Sequence, residues 1–234
     1  MSLPLLFVTL AVTVALLFLV GVYRAWRTKP NGATVFLATL VASMAWMLGT
    51  YIAAAKGALR FDSRPPTIML LIAAVFVIAF AAGLSRFGKQ LALGLPLSAL
   101  VGFQAFRFPL ELLLHRAYQE GLMPVQMSYS GRNFDIVTGV TAAVLGLVLW
   151  KRTVRLWVVQ LWNAMGALLL ANILTVAMLS TPMPFRRFWN EPANVWITQA
   201  PYVWLPTVFV LFALLGQIVI ARRLAAEHEQ RRTV

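Results

Sequence analysis

Apolar residues gather along the chain into runs of about 17 to 25 positions separated by short polar breaks, the length needed to cross ~30 Å of hydrocarbon at 1.5 Å per residue. The runs predict helices over 3–23, 33–55, 67–84, 91–118, 134–150, 156–180 and 202–220, with a tail over 221–234 continuing the last helix into water. Unsatisfied backbone groups cannot face lipid, and the alternating pattern of ~10-residue barrel strands is absent, which leaves helices. The expected fold class is therefore all-α, a polytopic transmembrane helix bundle of about seven spans. No internal repeat is visible, and residues 1–234 read as a single transmembrane domain without a soluble appendage.

The breaks refine this picture. The first run has no basic residue before it and Arg24, Arg27 and Lys29 after it, the reverse of a cleavable signal peptide, and reads as a retained helix. The third run carries no charge, which suits lipid contact or plain packing. The fourth is longer than a bilayer requires and contains Pro96 and Pro109, so it tilts, kinks, projects beyond the membrane or breaks at one of them. Trp189, Trp196, Tyr202 and Trp204, in and after a loop rich in Pro and aromatics, suit an interfacial aromatic belt.

Charge orients the bundle. The formal charge of +13 would suit nucleic acid if Lys and Arg covered one soluble face, but they lie in the breaks between apolar runs, so no nucleic-acid partner is expected. Twelve of them fall on the side of the first, third and fifth connections plus the tail, and seven on the other. The positive-inside rule then places the N-terminus outside and the C-terminus in the cytoplasm. With no cysteine there is no disulfide, thiolate nucleophile or thiolate metal site.

Candidate chemistry concentrates on the fourth helix, where Gln104, Arg107, Glu111, His115 and Tyr118 fall within roughly 80° of one another on the helical wheel. This polar stripe descends from the outer surface toward the midplane. Ionisable groups at that depth cost at least ~2.5 kcal/mol each when isolated, so they should face the bundle interior, pair or meet water. Arg107 and Glu111, four apart, can pair on their own helix, either as a structural clasp or as the floor of a pocket. His115 reads as an interfacial hydrogen-bonded histidine rather than a metal ligand, because no second histidine or cysteine completes a set; neither metal nor cofactor is expected. Asn133 suits an N-cap of the fifth helix, with Asp135 in its first turn or complementing Arg107 or Arg132. Asn172 either lines the same cavity as Arg107 or makes an interhelical hydrogen bond, whereas Gln160 and Asn163 lie near the cytoplasmic end and meet water.

The run from Glu120-Gly121 through Pro124, Met127 and Ser130-Gly131-Arg132-Asn133-Phe134-Asp135-Ile136 to Thr138-Gly139 resembles a family of uncharacterised bacterial multi-pass membrane proteins, and Pro201 to Pro206 fits the same likeness. The resemblance implies a bacterial inner membrane and adds no substrate or activity.

Three functional readings stay open. The first is binding or transport of a small polar or anionic ligand, or a lipid headgroup, through an outward-facing polar pocket of Gln104, Arg107, Glu111, His115, Asn133, Asp135 and Asn172. The second is a membrane-embedded enzyme using Glu111, His115 and Asp135 as acid-base groups, which no recognised catalytic motif supports. The third is a structural subunit whose stripe meets a partner membrane protein. Besides the lipid bilayer, then, the expected partners are such a ligand or such a subunit.

Overall fold

A computed structural model describes residues 1–232. The described chain is helical throughout, without strands: α1 (Leu3–Trp26), α2 (Gly32–Ala55), α3 (Thr67–Leu84), α4 (Arg86–Gly94), α5 (Leu97–Phe103), a 3₁₀ turn (Gln104–Phe106), α6 (Arg107–Gln119), α7 (Ile136–Lys151), α8 (Leu156–Leu179), a π-helical turn (Leu205–Val210) and α9 (Leu211–Arg232). Six helical segments are long and apolar enough to cross a membrane, which fits a multi-pass membrane protein. The seventh expected span, α7, has 16 residues, about 24 Å at 1.5 Å per residue.

The long fourth run does not stay in one piece. Leu95 is extended because the ring of Pro96 excludes the helical conformation for the residue before it, so α4 stops at Gly94 and α5 starts at Leu97. Ser85 caps α4, accepting from the Phe87 N–H at 3.0 Å. Pro109 breaks nothing. It lies in the first turn of α6, where a missing N–H leaves no intrahelical bond unmade, and the preceding three residues tighten into the 3₁₀ turn.

α9 forms the centre of the bundle, packing on α3, α4, α5 and α8 and burying Phe212, Ala213, Val219, Ile220 and Leu224. α2 is its opposite: of 24 residues only Thr50 and Ala54 are buried, so its apolar surface faces outward. Where helices approach closely, glycine makes room. A side-chain carbon on Gly139 of α7 would land on the Phe108 backbone, and one on Gly146 would meet Gly102 of α5. Such small-residue contacts let apolar helices pack through backbone proximity.

The long loops after α6 and α8 fold onto the bundle, which corrects the aromatic-belt expectation. Trp189 is exposed, over the Arg186 guanidinium, but Trp196, Tyr202 and Trp204 are buried. Trp196 and Tyr202 lie edge-on to Phe7 of α1 at 6.2 and 5.4 Å between ring centres. Both long loops are also tied to the C-terminal end of α8, for Gln126 donates to the Ser180 hydroxyl at 3.0 Å and Asn194 to the Ala177 carbonyl at 3.0 Å. At the tip of the α2–α3 connection, the hydrogen bond from Arg60 and its charge hold the Asp62 carboxyl below the usual range; both groups are exposed, so the contact is a surface one.

Gly139→Ala is expected to force α6 and α7 apart and lower stability by about 1–3 kcal/mol. Gly49→Ala, with open space around the added carbon, should be neutral or stabilise by up to ~1 kcal/mol. Thermal unfolding of both variants in one detergent checks the contrast.

Candidate functional site

Arg107, at the start of α6, is fully buried. It does not pair with Glu111. Its Nε donates to Asp135 Oδ2 at 2.6 Å and its Nη2 to Asp135 Oδ1, a two-pronged ion pair with the residue that opens α7. The facing carboxylate matches the planar guanidinium fork, a geometry that a carboxylate one turn along the same helix matches less well. Close approach of the two helices at Gly139 brings Asp135 within reach. Nη2 also donates to the Gly166 carbonyl of α8 at 3.3 Å. With the Gln217 amide assigned so that its oxygen faces the guanidinium, Nη1 donates to it at 3.0 Å.

Glu111 completes the network from the other side. Its Oε2 accepts from Asn133 Nδ2 at 2.7 Å, and the same Nδ2 donates to the Met127 carbonyl at 3.0 Å. Asn133 is thus not the expected N-cap. Its Oδ1 accepts from the backbone N–H of Asp135 at 3.1 Å, an Asx-type turn, while Asp135 occupies the N-cap position with its carboxylate committed to Arg107. Asn163 and Gln217 were not among the expected site residues. Asn163 is buried rather than wet, and it and Gln217 clasp α8 to α9, Asn163 donating to the Gln217 carbonyl at 3.3 Å and the reoriented Gln217 amide to the Asn163 carbonyl at 3.1 Å. The available signal was Gln217 as the lone amide in an otherwise apolar stretch of the last run.

The remaining stripe residues go elsewhere. His115 is half-buried toward the C-terminal end of α6, stacked on Tyr129 at 4.2 Å, with Ser130 Oγ 3.3 Å from Nδ1 and Gln119 3.2 Å from Nε2. Asn172 is half-buried and donates to the Arg132 carbonyl at 2.7 Å, tying a loop to α8 rather than lining the cluster. Gln104 is fully buried with both amide atoms unpartnered, its side chain pressed against Gly216 of α9. Winding as a 3₁₀ turn between α5 and α6 takes Gln104 off the helical register that the stripe assumes.

The cluster is not an outward-facing pocket. The cavity that Arg107, Glu111 and Asp135 share with Phe106, Leu110 and Phe209 has a volume of about 60 Å³, room for a few waters and no solute. Glu111 and Asp135 line this cavity while His115 does not, so the three acid-base candidates do not converge on one open space.

The open spaces are apolar and lie elsewhere. A groove of about 280 Å³ runs between α1, the Pro96 break, α5 and α9, lined by Leu17, Gly21, Leu95, Gly102 and Gly216 among others, with Arg24 at one end. The Phe18–Phe212 pair, 4.6 Å between ring centres, divides it from a second cavity of about 540 Å³ beneath α2. Comparison of the chain with family models, with curated proteins and with solved structures finds no match.

Asp135→Asn removes the counter-charge of a buried guanidinium and should destabilise by about 3–5 kcal/mol. Glu111→Gln keeps an oxygen for Asn133 and should cost about 1 kcal/mol or less. Thermal unfolding ranks the two, and equal losses would contradict the pairing of Arg107 with Asp135.

Proposed function

We propose that this chain is a multi-pass integral membrane protein that binds an anionic amphiphile from the bilayer, with its N-terminus outside and its C-terminus in the cytoplasm. The observation that carries this reading is the 280 Å³ groove with apolar walls and Arg24 at its end. Apolar walls favour a hydrocarbon chain, and a guanidinium at the water-facing end favours a phosphate or carboxylate head.

Arg24 is available for that role where its neighbours are not. Arg222 donates to the carbonyls of Gly83 and Ser85 at 2.6 and 2.7 Å, closing the end of α3. Arg223 pairs with Glu227 at 2.6 Å and donates to the Ala92 carbonyl at 3.2 Å. Arg24 is exposed, and no ion pair or hydrogen bond engages it among the described residues.

The closed polar cluster supports a structural tie between α6, α7, α8 and α9, which favours binding in the groove over solute passage or acid-base catalysis at Arg107 and Glu111. The likeness of the Glu120 to Gly139 segment to bacterial multi-pass membrane proteins supports placement in an inner membrane. The excess of Lys and Arg on the Arg24 side supports the orientation, and puts the groove's charged end at the cytoplasmic leaflet, where anionic headgroups attract basic residues.

Native mass spectrometry of the protein from nanodiscs of mixed phosphatidylglycerol and phosphatidylcholine should find the anionic lipid retained in preference. Arg24→Ala should lower that preference about tenfold, the equivalent of losing one charge-assisted hydrogen bond; absence of retained lipid from the wild-type protein would remove the reading. The chain has no cysteine, so single cysteines report topology without background. Ser63→Cys and Glu191→Cys should react with an impermeant maleimide added outside intact cells, and Lys29→Cys and Lys151→Cys only after lysis.

A further inference from the structure

α2 sinks into the bundle only toward its C-terminal end. Its two buried residues, Thr50 and Ala54, lie in its last turns, and none of positions 32–49 is buried. Just before them two indoles pin it to the turn that precedes α9: Trp46 Nε1 donates to the Thr207 carbonyl at 2.8 Å and Trp204 Nε1 to the Met47 carbonyl at 3.1 Å. From Val35 to Met47 the space beneath α2 is the cavity of about 540 Å³, with Ile78 and Ala82 of α3 on its other side. Ala38, Thr39, Ala42 and Ser43, which α2 turns toward it, are too small to fill it.

The dimensions and position of this cavity match a lipid chain. Val35 and Met47 are about 18 Å apart along α2 at 1.5 Å per residue, close to the ~15 Å of hydrocarbon in one leaflet. Val35 lies in the first turn of α2, which stands beside the Arg24 turn of α1, because Tyr23 is edge-on to Phe36 at 6.0 Å between ring centres. The cavity therefore starts level with the charged end of the neighbouring groove. The two spaces have Phe18, Phe212 and Leu215 in common as wall residues, and the Phe18–Phe212 pair stands between them. Apolar walls that face no partner atoms forgo dispersion contacts, which a hydrocarbon chain restores. A one-chain amphiphile held by Arg24 fills the groove and does not reach the larger space. Two chains on one head fill both.

We propose that the protein takes a two-chain anionic phospholipid, its head on Arg24 and its chains parted by the Phe18–Phe212 pair, one in the groove and one in the cavity beneath α2. This inference rests on the groove-binding reading above and adds a second subsite to it. The dividing pair is itself held by aromatic contacts: Phe18 meets Phe87 of α4 at 6.3 Å between ring centres, and Phe87 stacks on Trp26 at 5.0 Å.

The probes are dioleoyl phosphatidylglycerol and its one-chain counterpart, 1-oleoyl lysophosphatidylglycerol, which carry the same charged head. Each is titrated into the full-length protein in a non-ionic detergent and followed by native mass spectrometry. The wild-type protein should bind the two-chain lipid about fivefold more tightly, the worth of little more than one buried methylene group, because detergent already shields most of the second chain from water. Ala42→Phe fills the cavity from α2 and Ala82→Leu fills it from α3. Each should bring the two-chain lipid down to the affinity of the one-chain lipid and leave the latter unchanged. Val41→Phe, on the exposed side of α2, should behave as the wild-type protein does. Equal binding of the two lipids by the wild-type protein, which needs no variant to fold, overturns the inference and leaves the groove reading standing. So does a preference that survives the filling substitutions or is lost equally in Val41→Phe. Binding of neither lipid overturns both.

Discussion

A guanidinium with no exposed surface, set among apolar helices, dictates much of what surrounds it. The charge of Arg107 must be matched and its donors satisfied where it stands. Asp135 supplies the charge and two acceptors; Gly166 and Gln217 supply the others. Each comes from a different segment, which means that the ion pair fixes the relative positions of α6, α7, α8 and α9 at once. Glycine at 139 and 166 is part of the same requirement, because a side chain at either position would hold a partner segment away. A buried pair of this kind is not in itself a source of stability compared with an apolar substitute. It makes other arrangements of the helices costly, since any slippage strands a charge.

Below that tie, the bundle is built differently. The break at Pro96 ends α4 and restarts the chain as α5, and the offset leaves the groove beside α1 and α9. Gly216 and Gln217 show how closely the two regions adjoin. Successive helical residues point about 100° apart, so the first receives Gln104 and borders the groove while the second reaches Arg107 and Asn163. One turn of α9 thus separates a polar, closed network from an apolar, open space.

Much of the architecture was legible along the chain. Runs of spanning length placed α1, α2, α3 and α8 to within a few residues, because hydrophobicity over some twenty positions is a bulk property that needs no partner. The break at Pro96 and the continuity at Pro109 were not separable from composition, since a proline is tolerated or disruptive according to whether its own N–H would have been used. The buried position of Trp196, Tyr202 and Trp204 was likewise hidden: an aromatic beside a span serves an interface or a core equally well until a loop folds over it.

The need for Arg107 to find a counter-charge follows from the sequence, as does the all-helical class. Which carboxylate meets the guanidinium was decided in three dimensions, because Asp135 is 28 residues away along the chain and arrives only through the close approach of α6 and α7. The same holds for Asn163 and Gln217, two lone amides that become a clasp only when α8 and α9 are adjacent. Periodicity reports the face of a helix on which a residue lies; what stands opposite that face is a property of packing between segments, and so are the burial of the cluster and the opening of the groove.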